Sequence, residues 1–481
     1  MTEEKNRLIE VNKKINKVGP GFCLAKWTQV TIHLQTGRTH SCHHPTTHKI
    51  PLAEIKRNPS ALHNTRFKKQ KRKEMLEGER PSECDYCWRI EDNSQEFSDR
   101  TYKSSEPWSE PYLEEIKNLG WRDNFNPKYV EVAFSNACNF KCSYCGPQYS
   151  SKWVEELTKH GAYPTTDSFN NIDNLKRDGE MPFNHKDDNP YVEAFWKWWP
   201  DLYRDLDTFR ITGGEPLLNP NTWKILDYII ENDNPNTNLK LAINSNLGVP
   251  DALVNKFIEK IKIIENNSKV REISIFTSCD TADEQAEYVR TGLNYGEWKI
   301  NVEKMLKATT KTSLVVMSTF NAMSLFKYKQ LMDFVYEMKK EYNNPNRYWI
   351  TALTLDSSYL RYPRHQTVKI LPKEYAAIVD ELAEYAQDRD TIKPHAFIDK
   401  WENWLVGFTE IEASKIKRIA DWMRSNEPNG DLETNRYNFY KHFQSHDERR
   451  GTDFTTTYPE LADFYEECGK IKINNTWRKL V

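Results

Sequence analysis

Three cysteines fall within eight residues, Cys138-Asn139-Phe140-Lys141-Cys142-Ser143-Tyr144-Cys145, in a Cys-x3-Cys-x2-Cys spacing. Three thiolates can hold three irons of a four-iron cluster and leave the fourth iron open. A cluster that only transfers electrons is normally closed by a fourth cysteine. An open iron is a place where a substrate can bind and be reduced. A zinc knuckle or chance spacing would read the same way, so the flanking chain carries the weight.

The elements that must position these thiols are legible nearby. Lys128 to Phe134 alternates and is rich in β formers, which predicts a strand. Gly146-Pro147 breaks the chain, and Ser150-Ser151-Lys152-Trp153 predicts a serine-capped helix start. The cysteine loop thus follows the C-terminal end of a strand, where α/β folds bind ligands. A second strand, Thr208 to Thr212, runs into Gly213-Gly214-Glu215-Pro216-Leu217. The two glycines permit close backbone approach to a ligand, and the proline stops the ladder. Further strands are predicted at Leu239 to Ile243, Glu272 to Thr277, Ser313 to Thr319 and Tyr348 to Thr354, with helices between them. Their polar ends include Asn244-Ser245-Asn246 and Ser278-Cys279-Asp280. Strand, helix and polar strand end recur six times, which predicts a parallel sheet with ligands at one rim.

Cys-Asn-x-x-Cys-x-x-Cys-Gly-Pro followed by Ser-Ser-Lys-Trp, with Gly-Gly-Glu-Pro after the next strand, resembles the radical SAM superfamily. The resemblance implies a partial (β/α)6 TIM-like barrel. It implies a catalytic [4Fe-4S] cluster on Cys138, Cys142 and Cys145, whose open iron chelates the amino and carboxylate groups of S-adenosylmethionine (SAM). One electron then cleaves SAM to methionine and a 5′-deoxyadenosyl radical, chemistry that belongs to the cofactor. By the same resemblance, Gly213, Gly214, Glu215 and Pro216 meet the cofactor amino group. Asn244, Ser245, Ser278 and Asp280 lie near its ribose and methionine parts, and Tyr144 joins the cofactor contacts from within the motif. Arg290, in Val289-Arg290-Thr291-Gly292, resembles an arginine that pairs with the cofactor carboxylate, a bidentate task. Strand-end caps and surface ion pairs would account for these same residues. Cys279 falls on the strand face opposite Ser278 and Asp280 and reads as core.

Upstream, Val30, Ile32 and Leu34 alternate with polar residues and Thr36-Gly37 turns the chain, a hairpin flanked by Cys23 and Cys42. Two short helices around Asn58-Pro59-Ser60 lead to Cys84-Asp85-Tyr86-Cys87. This order is similar to the twitch domain, a shortened relative of the SPASM domain, and implies a second, auxiliary [4Fe-4S] cluster on Cys23, Cys42, Cys84 and Cys87. The chain departs from many relatives: Lys26-Trp27 stands for Pro-Trp, and Cys42-His43 stands for two adjacent cysteines. His43 is thus an alternative ligand, and a four-thiolate zinc site tolerates the same residues.

The chain has 481 residues, 29% charged and 38% hydrophobic, with net charge −2. That composition is ordinary for a soluble protein and argues against a membrane-surface or nucleic-acid binder. There is no apolar run of membrane-spanning length and no signal-peptide core at the start, so a cytoplasmic location is expected. Seven of the nine cysteines lie in the first third, which in a reducing compartment favours metal over disulfides. Three regions are expected: residues 1–125 as the auxiliary domain and linker, 126–370 as the barrel, and 371–481 as a mainly helical extension. The basic run Arg66 to Lys73 reads as a solvated helix face, or as a docking patch for a flavodoxin- or ferredoxin-type reductant. Arg449 and Arg450 read as surface ion pairs or as holders of an anionic substrate group. The substrate is a peptide or a small molecule. The rival classes are a radical dehydrogenase or epimerase acting on a sugar or alcohol, and a non-catalytic zinc- or iron–sulfur-binding interaction or electron-transfer protein.

Overall fold

A computed structural model describes residues 3–167, 169–342, 352–389 and 407–473. Its strands, in chain order, are β1 (Gln29–His33), β2 (Arg38–His40), β3 (His48–Lys49), β4 (Tyr129–Ala133), β5 (Lys141–Cys142), β6 (Thr208–Thr212), β7 (Lys240–Ser245), β8 (Glu272–Ser278), β9 (Arg290–Thr291), β10 (Ser313–Phe320) and β11 (Leu353–Tyr359). The fold is mixed α/β with mostly parallel strands. The chain divides into two compact units. One comprises residues 1–136, 182–243 and 267–272; the other comprises 137–181, 244–266 and 273–481.

In the first unit the strand order is β7-β6-β4-β1-β2-β3. The expected hairpin forms: β1 and β2 pair antiparallel, with Gly37 in the left-handed region at the turn. β1 also pairs parallel with β4, with Gln29 opposite Tyr129 and His33 opposite Ala133. The hairpin therefore extends the parallel sheet through β4, β6 and β7. The aromatic helix Pro190–Asp205 packs on this sheet, with the Trp199 ring 4.7 Å from Phe209 and Phe195 5.1 Å from Phe134. A separate core joins Val11, Ile15, Phe22, Trp27 and Met75 with Ile116 and Phe125.

The basic run forms the helix Arg66–Leu76, capped by Thr65. It is not a solvated face throughout. Lys68 and Arg72, one helical turn apart, are buried. Lys68 Nζ lies 2.9 Å from His63 Nδ1, and Arg72 donates to Asn64 Oδ1 at 2.8 Å and to the Lys26 carbonyl at 3.2 Å. The i, i+4 pair points inward because its polar ends find partners there, leaving Arg66 and Phe67 exposed.

In the second unit β8, β10 and β11 run parallel in the order β11-β10-β8. β11 runs Leu353–Tyr359, beyond the expected end at Thr354. The expected strand residues 348–351 lie outside the described residues. The short ladder β5–β9 pairs Cys142 with Arg290 and Lys141 with Thr291. Helix Leu432–Arg450 ends at Gly451 in the left-handed region.

Candidate functional site

The cysteine loop of the second unit is held from several sides. Ser143 N donates to the Val289 carbonyl at 2.7 Å, continuing the ladder that joins the loop to the Arg290 segment. Phe140 is buried between two glycines. A Cβ at Gly248 would meet its ring at 2.4 Å, and one at Gly292, where φ is +109°, would lie 2.9 Å from the ring and from the Asn139 carbonyl. Asn139 donates to the Gly248 carbonyl at 2.8 Å and accepts from Asn246 at 2.9 Å. Asn246, Gly248 and Gly292 therefore shape the loop. The glycines could have been suspected in the sequence from Leu247-Gly248 and Thr291-Gly292, but their shared partner Phe140 could not.

From beneath, Gln366 grips Ser143 twice. Its Nε2 donates to the Ser143 carbonyl at 3.1 Å, and Ser143 Oγ donates to its Oε1 at 2.8 Å. Trp153 Nε1 donates to the Cys142 carbonyl at 3.0 Å, and Cys145 packs on the Trp153, Leu157 and Tyr163 cluster. The Arg450 side chain is buried rather than paired on the surface. It donates to the Lys141 carbonyl at 2.7 Å and to both Glu156 carboxylate oxygens, at 3.0 and 3.2 Å. Arg449 donates to the Gly161 and Ala162 carbonyls. Neither arginine makes the surface pairing with nearby acids expected from sequence.

The three thiols are half-buried. Phe140 N donates to Cys138 Sγ at 3.4 Å, and Arg290 Nη1 donates to Cys142 Sγ at 3.6 Å. Burial pushes Cys145 up to about 12 and raises Cys142 against the opposing pull of Arg290. Burial thus disfavours the charged form of bare Cys142 and Cys145, whereas a bound cationic cluster favours thiolates. Three thiols on one loop, two of them receiving N–H groups, suit an iron–sulfur cluster.

The other candidates distribute as follows. Arg290 donates through Nε and Nη2 to both oxygens of the fully buried Asp280, and through Nη2 to the Tyr144 hydroxyl at 2.6 Å. Tyr144 in turn donates to Asp280 at 2.6 Å. These three residues form one network beside Cys142, with burial and the Asp280 charge holding the Tyr144 phenol well above its usual range. Asn244 contacts Met317 Sδ at 3.7 Å, and Ser245 Oγ accepts from Leu247 N. Ser278 ends β8, facing Met317 of β10. Cys279 is buried and bonds the Thr281 carbonyl. In the first unit, Gly213 has φ +117° and Gly214 N donates to the Ser135 carbonyl at 3.2 Å. A Cβ on Gly213 would come 2.9 Å from that oxygen. Glu215 is buried and caps the turn Pro216–Leu218.

Cys23, Cys42, Cys84 and Cys87 line one small pocket of the first unit, together with Lys26, His44, Asp99, Arg100 and Lys103. Burial and the neighbouring thiols push Cys23 up to about 12, and burial pushes Cys87 up to about 11. Buried Lys26 is ion-paired with Glu83; the charges of Cys84 and Glu83 outweigh its burial and hold its ammonium above the usual range. Four convergent thiols beside a cation suit a thiolate-bound metal or cluster.

A family model described as the Radical SAM superfamily matches residues 132–332. No curated protein matches the chain. The match supports the superfamily, and the protein is an enzyme. In general terms the match supports a SAM-cleaving radical enzyme, and the family implies an iron–sulfur cluster and SAM. No helix among the described residues is long and apolar enough to cross a membrane.

Proposed function

We propose that Cys138, Cys142 and Cys145 hold a [4Fe-4S] cluster in a partial (β/α)6 barrel, and that the enzyme abstracts hydrogen from a substrate, a peptide in the favoured reading. The observation that supports this is the clamped loop: Lys141 and Cys142 pair through the backbone with the Arg290 segment, and N–H groups are directed at the Cys138 and Cys142 sulfurs. When bound, the cluster with SAM supplies a 5′-deoxyadenosyl radical. The chain's part is to bind and shield. Ser143, gripped by Gln366, and Lys141, gripped by Arg450, fix the loop. Asp280 orients Arg290 beside Cys142, and Tyr144 completes that network. By the resemblance, Gly213, Gly214, Glu215 and Pro216 meet the cofactor amino group.

The first-unit cysteines are read as the twitch-type auxiliary cluster site, supported by their convergence in one pocket beside Lys26. A flavodoxin- or ferredoxin-type protein is the proposed reductant. Iron and sulfide are to be measured after anaerobic reconstitution, in wild type and in a Cys138→Ala, Cys142→Ala, Cys145→Ala variant. About eight irons falling to about four is the expected result, one four-iron cluster per site. About four falling to none leaves the enzyme reading and removes the auxiliary cluster. Zinc without iron in wild type overturns the catalytic reading.

A further inference from the structure

Immediately beyond Cys42, two histidine rings and one carboxylate converge. His44 Nε2 lies 2.8 Å from Asp99 Oδ2, and His43 Nε2 lies 3.3 Å from the same oxygen. One ligand atom from each of the three residues falls within 4.8 Å of the others. Metal–nitrogen bonds of about 2.05 Å in a tetrahedron require donor atoms about 3.3 Å apart. The His43–Asp99 spacing matches that edge, and the 2.8 Å His44–Asp99 hydrogen bond opens to it with a shift of about 0.5 Å.

The scaffold holds these donors in place. The His44 ring stacks on Tyr86 at 3.6 Å, with the planes 14° apart, and Tyr86 lies between Cys84 and Cys87. Asp99 is the first residue of helix Asp99–Ser104, capped by Ser98. The His43 ring packs 4.1 Å from His44.

The location gives the site a use. His43 lines a cavity of about 780 Å³ in the first unit, with His33, His40, Tyr129, Glu131 and Arg210 on its wall. His44 and Asp99 line the four-thiol pocket instead. The triad therefore stands where the polar cavity adjoins that pocket. Two imidazoles and one carboxylate leave a coordination position for an exogenous oxygen or nitrogen ligand.

We propose that His43, His44 and Asp99 form a mononuclear site for a divalent transition metal of the zinc class, separate from the four thiols and open toward the cavity. Three ligands of this kind disfavour magnesium and calcium, which require more oxygen donors. The site does not depend on what the thiols hold.

The test uses the full-length protein, treated with chelator, reconstituted anaerobically with iron and sulfide, and titrated with cobalt(II). The expected result is one bound cobalt ion by metal analysis, with the high-spin cobalt(II) electron paramagnetic resonance of nitrogen and oxygen ligation rather than thiolate ligation. His43→Ala and, separately, Asp99→Ala should each weaken binding at least about tenfold at unchanged iron content. His43 is 62% exposed, so its replacement leaves packing intact. The proposal fails if no cobalt binds, if only a thiolate spectrum appears, or if affinity is unchanged in both variants. It fails equally if iron is lost with His43, which would make that histidine a cluster ligand.

Discussion

Arg290 and Asp280 form a buried, two-point ion pair, Nε to Oδ2 at 2.8 Å and Nη2 to Oδ1 at 3.2 Å, ten residues apart in the chain. Thr319 N donates to Asp280 Oδ1 at 2.8 Å, so the carboxylate is fixed before it meets the guanidinium. The consequence is that Arg290 reaches Cys142 from a rigid mount. Its Nη1 is the nitrogen turned to the sulfur.

Breaking that pair from one side leaves a charge without its partner in a dry site. Arg290→Gln is expected to cost about 3–5 kcal/mol by denaturant unfolding. Arg290→Gln with Asp280→Asn should cost less than either single change, because neither charge is then stranded. Equal or additive losses would show that the pair is not coupled.

Gly292 underlies the loop in a conformation that L side chains rarely adopt. Gly292→Ala combines that strain with a close approach to Phe140 and the Asn139 carbonyl. A loss of about 1–3 kcal/mol is expected. Faster iron release to a chelator should accompany it, measured from the decay of the visible iron–sulfur absorbance.

Gln366→Leu keeps the volume but removes both bonds to Ser143. Leaving the buried Ser143 hydroxyl and carbonyl unpaired should cost about 1–3 kcal/mol. Differential scanning calorimetry reads that cost. The residue lies 223 positions from Ser143, so a wild-type melting temperature in this variant would mean that the clamp carries no energy.

Burial would raise the Glu156 carboxyl, but Arg450 and the bonds from Lys141 and Tyr163 outweigh it and hold the group at about 2. Its unfolded value lies near 4.5. The folded value is the lower one, so this contribution is complete above about 4.5 and fades as pH falls toward 2. Melting temperatures between pH 5.5 and 3 should fall more steeply in wild type than in Glu156→Gln. Parallel curves would exclude Glu156 as a source of acid lability.

Local chemistry was readable before any folding. The three-cysteine spacing, the strand preceding it, the Gly213–Gly214 turn and the Ser150 cap each depend on neighbours within a few residues. So does the hairpin at Gly37, whose register follows from its turn. Cys279 is buried as expected, but so is Asp280, and both lie beyond the end of β8, so alternation did not decide it. What lay beyond reach were partnerships across long stretches of chain. A helical period places Lys68 and Arg72 on one face but cannot say that His63 and Asn64 wait beneath it. Arg450 lies within three residues of Asp447, Glu448 and Asp453 in sequence, yet its partner is Glu156, 294 residues away. The parallel pairing of β1 with β4 joins segments about a hundred residues apart. Nothing in either strand names the other, because parallel register is set by the packing of both faces. Residue types and short spacings determined which chemistry the chain can host. The tertiary structure alone decided which side chains surround Cys142, since burial and long-range hydrogen bonding act only once distant segments meet.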